Sequence, residues 1–537
     1  MTQETKVRSI DVNEKLWVLM YSVLVLVLTS LPYFIGFYTE SPDWRFSGFV
    51  FNVEDGNSYI AKMLRGASGD WLFRSPYTYQ EQSGVLAFFP YILLGKLASG
   101  AEMHTQLVVL YHLFRWMAGL FVMYSTYAFL ALFVKSIWIR RLGLVLASLG
   151  GGLGWILVIV GRSQWLGSMP LEYYSPETFG FLSIYGIPHL AMARGMLLSA
   201  LRMYMEGHPN QSRGAVIGLI GILAGLFQPL SVVILGLVIG LHLLVSYKIS
   251  RTLEGIDLAS SFDFWNEKFK DSCIAGLFLL PFIIYNLVAL KQPYVKQWTE
   301  QNIILSPHPF HYLLAYGGVL PLSIVGGRRV LADKDLRGML TVIWVLMLPI
   351  LAYFPFNLQR RLPDGVWVAL LSLFLYGVES LNKEAIRKWV SVVLLVMLLP
   401  TSFFLLAGGV QTALAKEAPV FVPGEQVAAF KFLANNARVD SVVLSSYSTG
   451  NALPAWAPLR VVIGHGPESV GLKDFQPIIE RFYSSEMNSM ERMRLLSQFS
   501  VDYVYWGKNE GHGKLIAMDP LRIIYDQRGE KVYWVER

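Results

Sequence analysis

Long apolar stretches alternate along this chain with short charged ones, and the repeat is too coarse for a soluble fold. Residues 16–37 and 107–134 are each long enough to cross a bilayer as one helix. Further apolar runs follow at 142–160, from the end of a short polar loop to about 204, at 274–290, ahead of Arg328-Arg329, at 340–356, ahead of Lys383, and at 390–406. The run 214–245 is too long for one helix and is interrupted at Gln228-Pro229, where proline removes a backbone donor. These stretches predict about eleven spans. From Pro423 the pattern changes to short interleaved segments. Helical spacing over 426–433, 475–482 and 490–499 alternates with β-rich runs at 441–446, 460–463, 503–506, 522–525 and 531–535. The fold class this predicts is an all-α polytopic membrane bundle, 1–409, followed by a small C-terminal α/β domain, 410–537.

Charge orients the bundle. Lys6, Arg8 and Lys15 precede the first span. Lys135, Arg140 and Arg141 follow the second, Arg328 and Arg329 end another, and Lys383, Arg387 and Lys388 end the tenth. The 208–213 and 248–270 segments return on the same side. Positive residues gather on the cytoplasmic side of short loops, so the N-terminus is expected inside the cell. The loops at 38–106, 162–177, 291–309 and 357–361 are then outside, and an odd span count puts the C-terminal domain outside too. Arg360 and Arg361 break the charge bias, with Asp364 as their nearest acid in sequence. Within the first outer loop, Tyr59, Ile60, Met63, Leu64 and Ala67 repeat at helical spacing, with Lys62 and Arg65 on the other face. This predicts a helix over 57–68 lying in the membrane interface, and 85–97 a second one.

Composition agrees: of 537 residues, 54% are hydrophobic and 15% charged, against about 25% charged in soluble chains. The net charge of +7 is spread over the loop clusters, which argues against a nucleic-acid partner. One cysteine, Cys273, excludes an intrachain disulfide and a thiolate metal cage.

The candidate chemistry lies in the outer loops. Asp55, on a polar loop beside the bilayer, can take a proton from an incoming hydroxyl or amine. Arg360-Arg361 offers guanidinium forks that match phosphate oxygens. Plainer roles suit the same residues: a solvated loop acid or helix N-cap for Asp55, lipid-headgroup anchoring for the arginines, and a packed ring for His189 beside Pro188. Asp70, before Trp71, reads as structural. Glu54-Asp55 is chemically compatible with a divalent cation, but two adjacent acids without a third ligand are a weak metal signal. Gly464-His465-Gly466-Pro467-Glu468, after a β-rich run, reads as a sharp loop and lacks the fuller glycine pattern of a nucleotide site.

Around Asp55 the sequence resembles the C-type superfamily of multi-pass glycosyltransferases, in the branch of the protein mannosyltransferases and the lipid A aminoarabinose transferase. The matching residues are Asp55, Tyr59, Gly69, Asp70 and Trp71; the order Glu54-Asp55-Gly56 departs from the family's more usual Asp-Glu pair. By motif the likeness covers 51–77. It implies a cell-envelope enzyme of the plasma membrane that moves a sugar from a polyprenyl-phosphate donor to a glycan, lipid or protein acceptor at the outer face, with inversion. Asp55 is then the catalytic base, and Glu54, Tyr59, Glu177, His189, Arg360 and Arg361 are substrate-binding, with no metal ligand assigned. The competing reading is a polytopic transporter or flippase. It calls for ionisable residues within spans, and Arg115, Arg194 and Arg202 are the candidates. A ligase using a lipid diphosphate and a receptor anchored by its spans fit less well.

Overall fold

The structure, a computed structural model, describes residues 10–206, 212–252, 258–511 and 521–536. Lys6, Arg8 and most of the 208–213 return lie outside these. The chain divides into two compact units, one of residues 1–30, 114–287 and 303–407, the other of 31–113, 288–302 and 408–537.

The first unit is helical. Among the described residues of the whole chain, six helices are long and apolar enough to cross a membrane, and a seventh span is formed if the pair Phe310–Tyr316 and Leu320–Ala332, bent by 82°, counts as one. The other apolar runs are broken. Gly150-Gly151-Gly152 splits the expected 142–160 span into Ile137–Leu149 and Gly154–Ile159. A helix of Pro188–Met205 follows the short Phe181–Gly186 turn of helix. Gln228-Pro229 separates Arg213–Phe227 from Leu230–Thr252, as the proline requires. On the candidate span Trp265–Ala289 only 11% of the apolar window is buried, and Leu277, Phe278, Leu280 and Ile284 are exposed. A face this apolar is suited to lipid. Within the unit, Trp344, Trp367, Phe374, Leu370, Leu201 and Tyr204 centre a buried core.

Among the described residues, the arginines Arg115, Arg140, Arg194 and Arg202 of the apolar helices are engaged. Arg115, 1% exposed, donates to the Ser30 and Thr29 hydroxyls and to the carbonyls of Ile184 and Tyr185. Arg140 pairs with Glu14 at 2.9 Å, Arg194 with Asp364 at 2.5 Å, and Arg202 with Glu206 at 2.6 Å. The Arg115, Arg140–Glu14 and Arg194–Asp364 groups are buried, where an unpaired charge costs several kcal/mol.

The second unit joins the first loop to the C-terminal segment. A five-stranded sheet runs in the order Arg460–Val461, Val442–Leu444, Tyr503–Trp506, Glu530–Val535, Leu521–Gln527. The first three strands are parallel. The last two form an antiparallel hairpin with Arg528-Gly529 at its turn. Helices Gly424–Asn436, Leu472–Tyr483 and Ser489–Gln498 accompany it, so helices and strands interleave as the pattern predicts. Trp44–Phe46 pairs antiparallel with Phe421–Pro423, stitching the loop's start to the segment near the C-terminal domain.

Two helices of the loop are central. We label α1 the helix Val53–Ala67 and α2 the helix Phe89–Gly95. The α1 helix begins four residues before the expected 57, and twelve of its fifteen residues are buried. Lys62 and Arg65, read as the polar face of an interfacial helix, are buried at 1% and 4% exposed. Each finds an acid from the C-terminal segment, Glu468 and Asp440 respectively. The α1 and α2 backbones touch through glycine. A methyl at Gly66 would overlap the Ile92 carbonyl, and one at Gly95 the Met63 carbonyl. Gly66→Ala is therefore expected to cost at least the ~1–3 kcal/mol of an overpacked core. A lowered thermal midpoint in detergent would register it; an unchanged midpoint would mean the two helices separate freely.

Candidate functional site

Asp55 is the third residue of α1, not its N-cap. The N-cap is Asn52, whose backbone is left-handed at φ 51°, a conformation asparagine tolerates better than most residues. The Asn52 side chain does not cap the helix. Its amide donates instead to Asp55 Oδ2 at 2.7 Å. The first turn exposes unpaired backbone N–H groups and the positive end of the helix dipole, which favour an anion at Asp55 and Glu54. Asp55 Oδ1 lies 2.9 Å from His465 Nε2, and the carboxylate side chain stays 41% exposed. A carboxylate that is oriented and reaches solvent can act as a proton acceptor.

The 464–469 loop that carries His465 leaves the strand Arg460–Val461. It is closed on itself: Ser469 Oγ accepts from the backbone N–H groups of Gly464 and His465 at 2.9 and 3.0 Å. The helix Pro293–Gln301 grips it from outside. Gln301 donates to the Pro467 and Ser469 carbonyls, and the Tyr294 hydroxyl to that of Glu468. His465 Nδ1 lies 3.6 Å from Glu468 Oε1, and the ring packs 5.3 Å from Tyr77. Glu468 is buried and accepts from Lys62 at 2.5 Å, Ser58 at 3.0 Å and Ser75 at 2.9 Å. Burial opposes its ionisation, but Lys62, His465 and the hydrogen bonds outweigh it and hold the carboxyl below the usual carboxylate range.

Glu54 is tied down too. Its Oε1 accepts from the Tyr447 hydroxyl and from the Gly466 N–H, and its carbonyl accepts from Asn451. Burial and the bond to Glu54 push the Tyr447 phenol well up, so it remains a donor. Tyr59 sits in a tyrosine stack with Tyr91, at 4.7 Å, and Tyr111, at 6.0 Å, and is 9% exposed. Asp70 bridges Arg65 and Arg74 at 2.6 and 2.5 Å, the structural role expected of it. Among the described residues no group of three or more His, Cys, Asp or Glu side chains is arranged to hold a metal ion.

The other candidates belong to the helical unit. Arg360 and Arg361 lie in a short 3-10 turn, Gln359–Arg361. The acid nearest them in sequence, Asp364, pairs with Arg194. Arg361 faces Glu177 instead, Nε to Oε1 at 3.6 Å. Glu177 is 4% exposed and accepts from Ser175 at 3.3 Å. The Arg360 guanidinium lies 4.6 Å over the Tyr174 ring, and its Nε is buried without a hydrogen-bond partner among the described residues. Arg360 therefore keeps donor capacity beside an aromatic face, and Arg361 lies against Glu177. His189 is the second residue of the helix Pro188–Met205 and is half-buried. Nearby in sequence, burial pushes the Glu172 carboxyl up to about 7 against the hydrogen bond it accepts from the Gly154 N–H, at 2.6 Å.

The overall chain trace has known counterparts. It superposes on the arabinofuranosyltransferase AftD from mycobacteria with a TM-score of 0.61 at 13% identity, over 100% of this chain and 41% of that longer one. It superposes on the oligosaccharyltransferase AglB from Archaeoglobus fulgidus, in complex with an inhibitory peptide and a dolichol-phosphate, with a TM-score of 0.51 at 13% identity, over 92% of this chain and 70% of that one. For ArnT from Cupriavidus metallidurans bound to undecaprenyl phosphate the TM-score is 0.51 at 13% identity, covering 96% and 97%. The chain has the fold of the C-type glycosyltransferases. No family model and no characterised protein matches the sequence, so the likeness is one of fold. This agrees with the resemblance carried by Asp55, Tyr59 and the Gly69-Asp70-Trp71 run.

Proposed function

We propose that this protein is a membrane glycosyltransferase that moves a sugar from a polyprenyl-phosphate donor to a glycan, lipid or protein acceptor at the outer face of the plasma membrane. The observation that carries the reading is Asp55: an acid at a helix N-terminus, oriented through both oxygens yet open to solvent, in a fold shared with sugar-transferring enzymes. Dolichol-phosphate in AglB and undecaprenyl phosphate in ArnT support the donor class.

In the proposed reaction an acceptor hydroxyl or amine attacks the anomeric carbon. The bond from that carbon to the phosphate oxygen breaks, the acceptor's proton passes to Asp55, and the lipid phosphate leaves with the bonding pair. One displacement inverts the anomeric centre. Arg360 and Arg361 take the role of phosphate ligands, with Glu177 orienting Arg361. Glu54, Tyr59 and His189 remain proposed substrate contacts; the burial of Tyr59 supports a role in shaping the site's floor more than direct contact. The N-terminus is proposed to be cytoplasmic and the C-terminal domain external.

Purified protein in proteoliposomes, given a radiolabelled polyprenyl-phosphate sugar and a crude envelope acceptor, is expected to move label onto the acceptor. Label that crosses the bilayer while still attached to the lipid would favour a transporter and reject transfer. Arg361→Ala removes a charged hydrogen bond worth roughly 1.5–3 kcal/mol. KM for the donor is therefore expected to rise about 10-fold or more. Unchanged KM and kcat would remove Arg361 from the phosphate site.

A further inference from the structure

We infer that His465 is a positioning residue for the reaction: it holds the Asp55 carboxylate in the orientation from which that group takes the acceptor's proton. The inference rests on the reading of Asp55 as the base, and adds to it a residue 410 positions away in the chain.

The geometry is that of a clamp. The His465 side chain is 5% exposed, whereas the acid it contacts is 41% exposed. Its Nδ1 makes no hydrogen bond among the described residues, so the hydrogen-bonding contact of the ring is the one to Asp55 Oδ1. A histidine kept only for packing would satisfy its polar atoms within the core. This one directs its bond outward, at a carboxylate that water could solvate unaided. Glu468, behind the ring, accepts from Lys62, Ser58 and Ser75, and lies 3.6 Å from Nδ1.

The loop around the ring is held as well. Ser469 fixes its backbone N–H, Tyr77 packs on one side, and Gln301 and Tyr294 hold the carbonyls around it. Asn52 holds Oδ2 from the opposite side. With one oxygen held by His465 and the other by Asn52, the Asp55 carboxylate is oriented before the acceptor arrives. Proton transfer is sensitive to this kind of alignment. The groups facing His465 are Asp55 from α1, Glu468 from its own loop, and the phenol of Tyr77; Lys62 stands behind Glu468.

The test compares His465→Ala, His465→Gln and Asp55→Asn in the same transfer assay. A hydrogen bond to a charged group contributes about 1.5–3 kcal/mol, so His465→Ala is expected to lower kcat roughly 10- to 100-fold. KM for donor and acceptor should stay within about 3-fold. The glutamine amide can donate to the same carboxylate oxygen, and His465→Gln is expected to recover most of kcat. Full turnover by His465→Ala beside an inactive Asp55→Asn overturns the positioning role alone. Equal losses of kcat in the alanine and glutamine variants also overturn it, because hydrogen-bond donation would then not matter. Full turnover by Asp55→Asn rejects the base itself, and the positioning role with it.

Discussion

Asp55→Asn is expected to lower kcat for sugar transfer by about 10²–10⁴-fold, the usual contribution of a positioned general base, with the protein still folded. The substitution keeps the side-chain volume and leaves one oxygen to accept from either His465 or Asn52. It removes the negative charge that makes the group a proton acceptor. The helix N-terminus then keeps only Glu54 as an anion in its first turn. KM for the donor is expected to change little, since the phosphate is assigned to the arginines. The measurement is initial-rate transfer from a saturating polyprenyl-phosphate sugar, with thermal midpoint as the folding control. Wild-type turnover in a folded variant would take Asp55 out of the chemistry and leave it as a helix-terminal acid.

The largest stability effect is expected at Lys62. Its side chain is 0% exposed and its partner Glu468 3%, with the ammonium also 4.2 Å over the Phe88 ring. Removing one member of such a buried pair leaves an uncompensated charge and typically costs about 3–5 kcal/mol. Lys62→Met at pH 7 is thus expected to lower the thermal midpoint strongly and to loosen the 464–469 loop. The sign of the pH dependence follows from Glu468. In the wild type its pKa is depressed below the ordinary 4.5. Its contribution to stability is therefore present above that value and lost as pH falls through the lower folded value. In Lys62→Met the lost cation raises the Glu468 pKa, so the acid is neutralised as the pH drops and the deficit relative to wild type is expected to shrink between pH 7 and pH 5. The double variant Lys62→Met, Glu468→Gln carries no net buried charge and is expected to recover most of the midpoint. A single variant as stable as wild type at pH 7 would show that the pair contributes nothing to the fold.

What the sequence made legible is local. Hydrophobic runs marked the long helices, Gln228-Pro229 marked a break, and the alternation after residue 423 marked strands and helices that the structure contains. The triple glycine at 150–152 was equally local, and its break in the apolar run at 142–160 was the readable signal that a length argument overrides. The partners of charged residues were not legible, because they are far apart in the chain. Lys62 and Arg65 lie on the helical face opposite the apolar one, which in isolation means solvent. Their acids, Glu468 and Asp440, are 406 and 375 residues further on. The acid nearest Arg361 in sequence is Asp364, whereas Asp364 pairs with Arg194 and Glu177 faces Arg361. His465 was visible only as a loop residue between two glycines. The feature that hinted at more was a histidine and an acid three apart on a tight turn after a strand, and nothing in the pattern connected that turn to Asp55.

The central claim is that one acid assists a direct displacement at the anomeric carbon of a lipid-phosphate sugar, and the product's stereochemistry tests it most directly. Purified protein is incubated with a polyprenyl-phosphate sugar of defined anomeric configuration, and ¹H and ³¹P NMR follow donor and product together. The expected result is free polyprenyl phosphate released one-to-one with a glycoside of the opposite configuration. A glycoside of retained configuration, or a donor consumed without phosphate release, would contradict it.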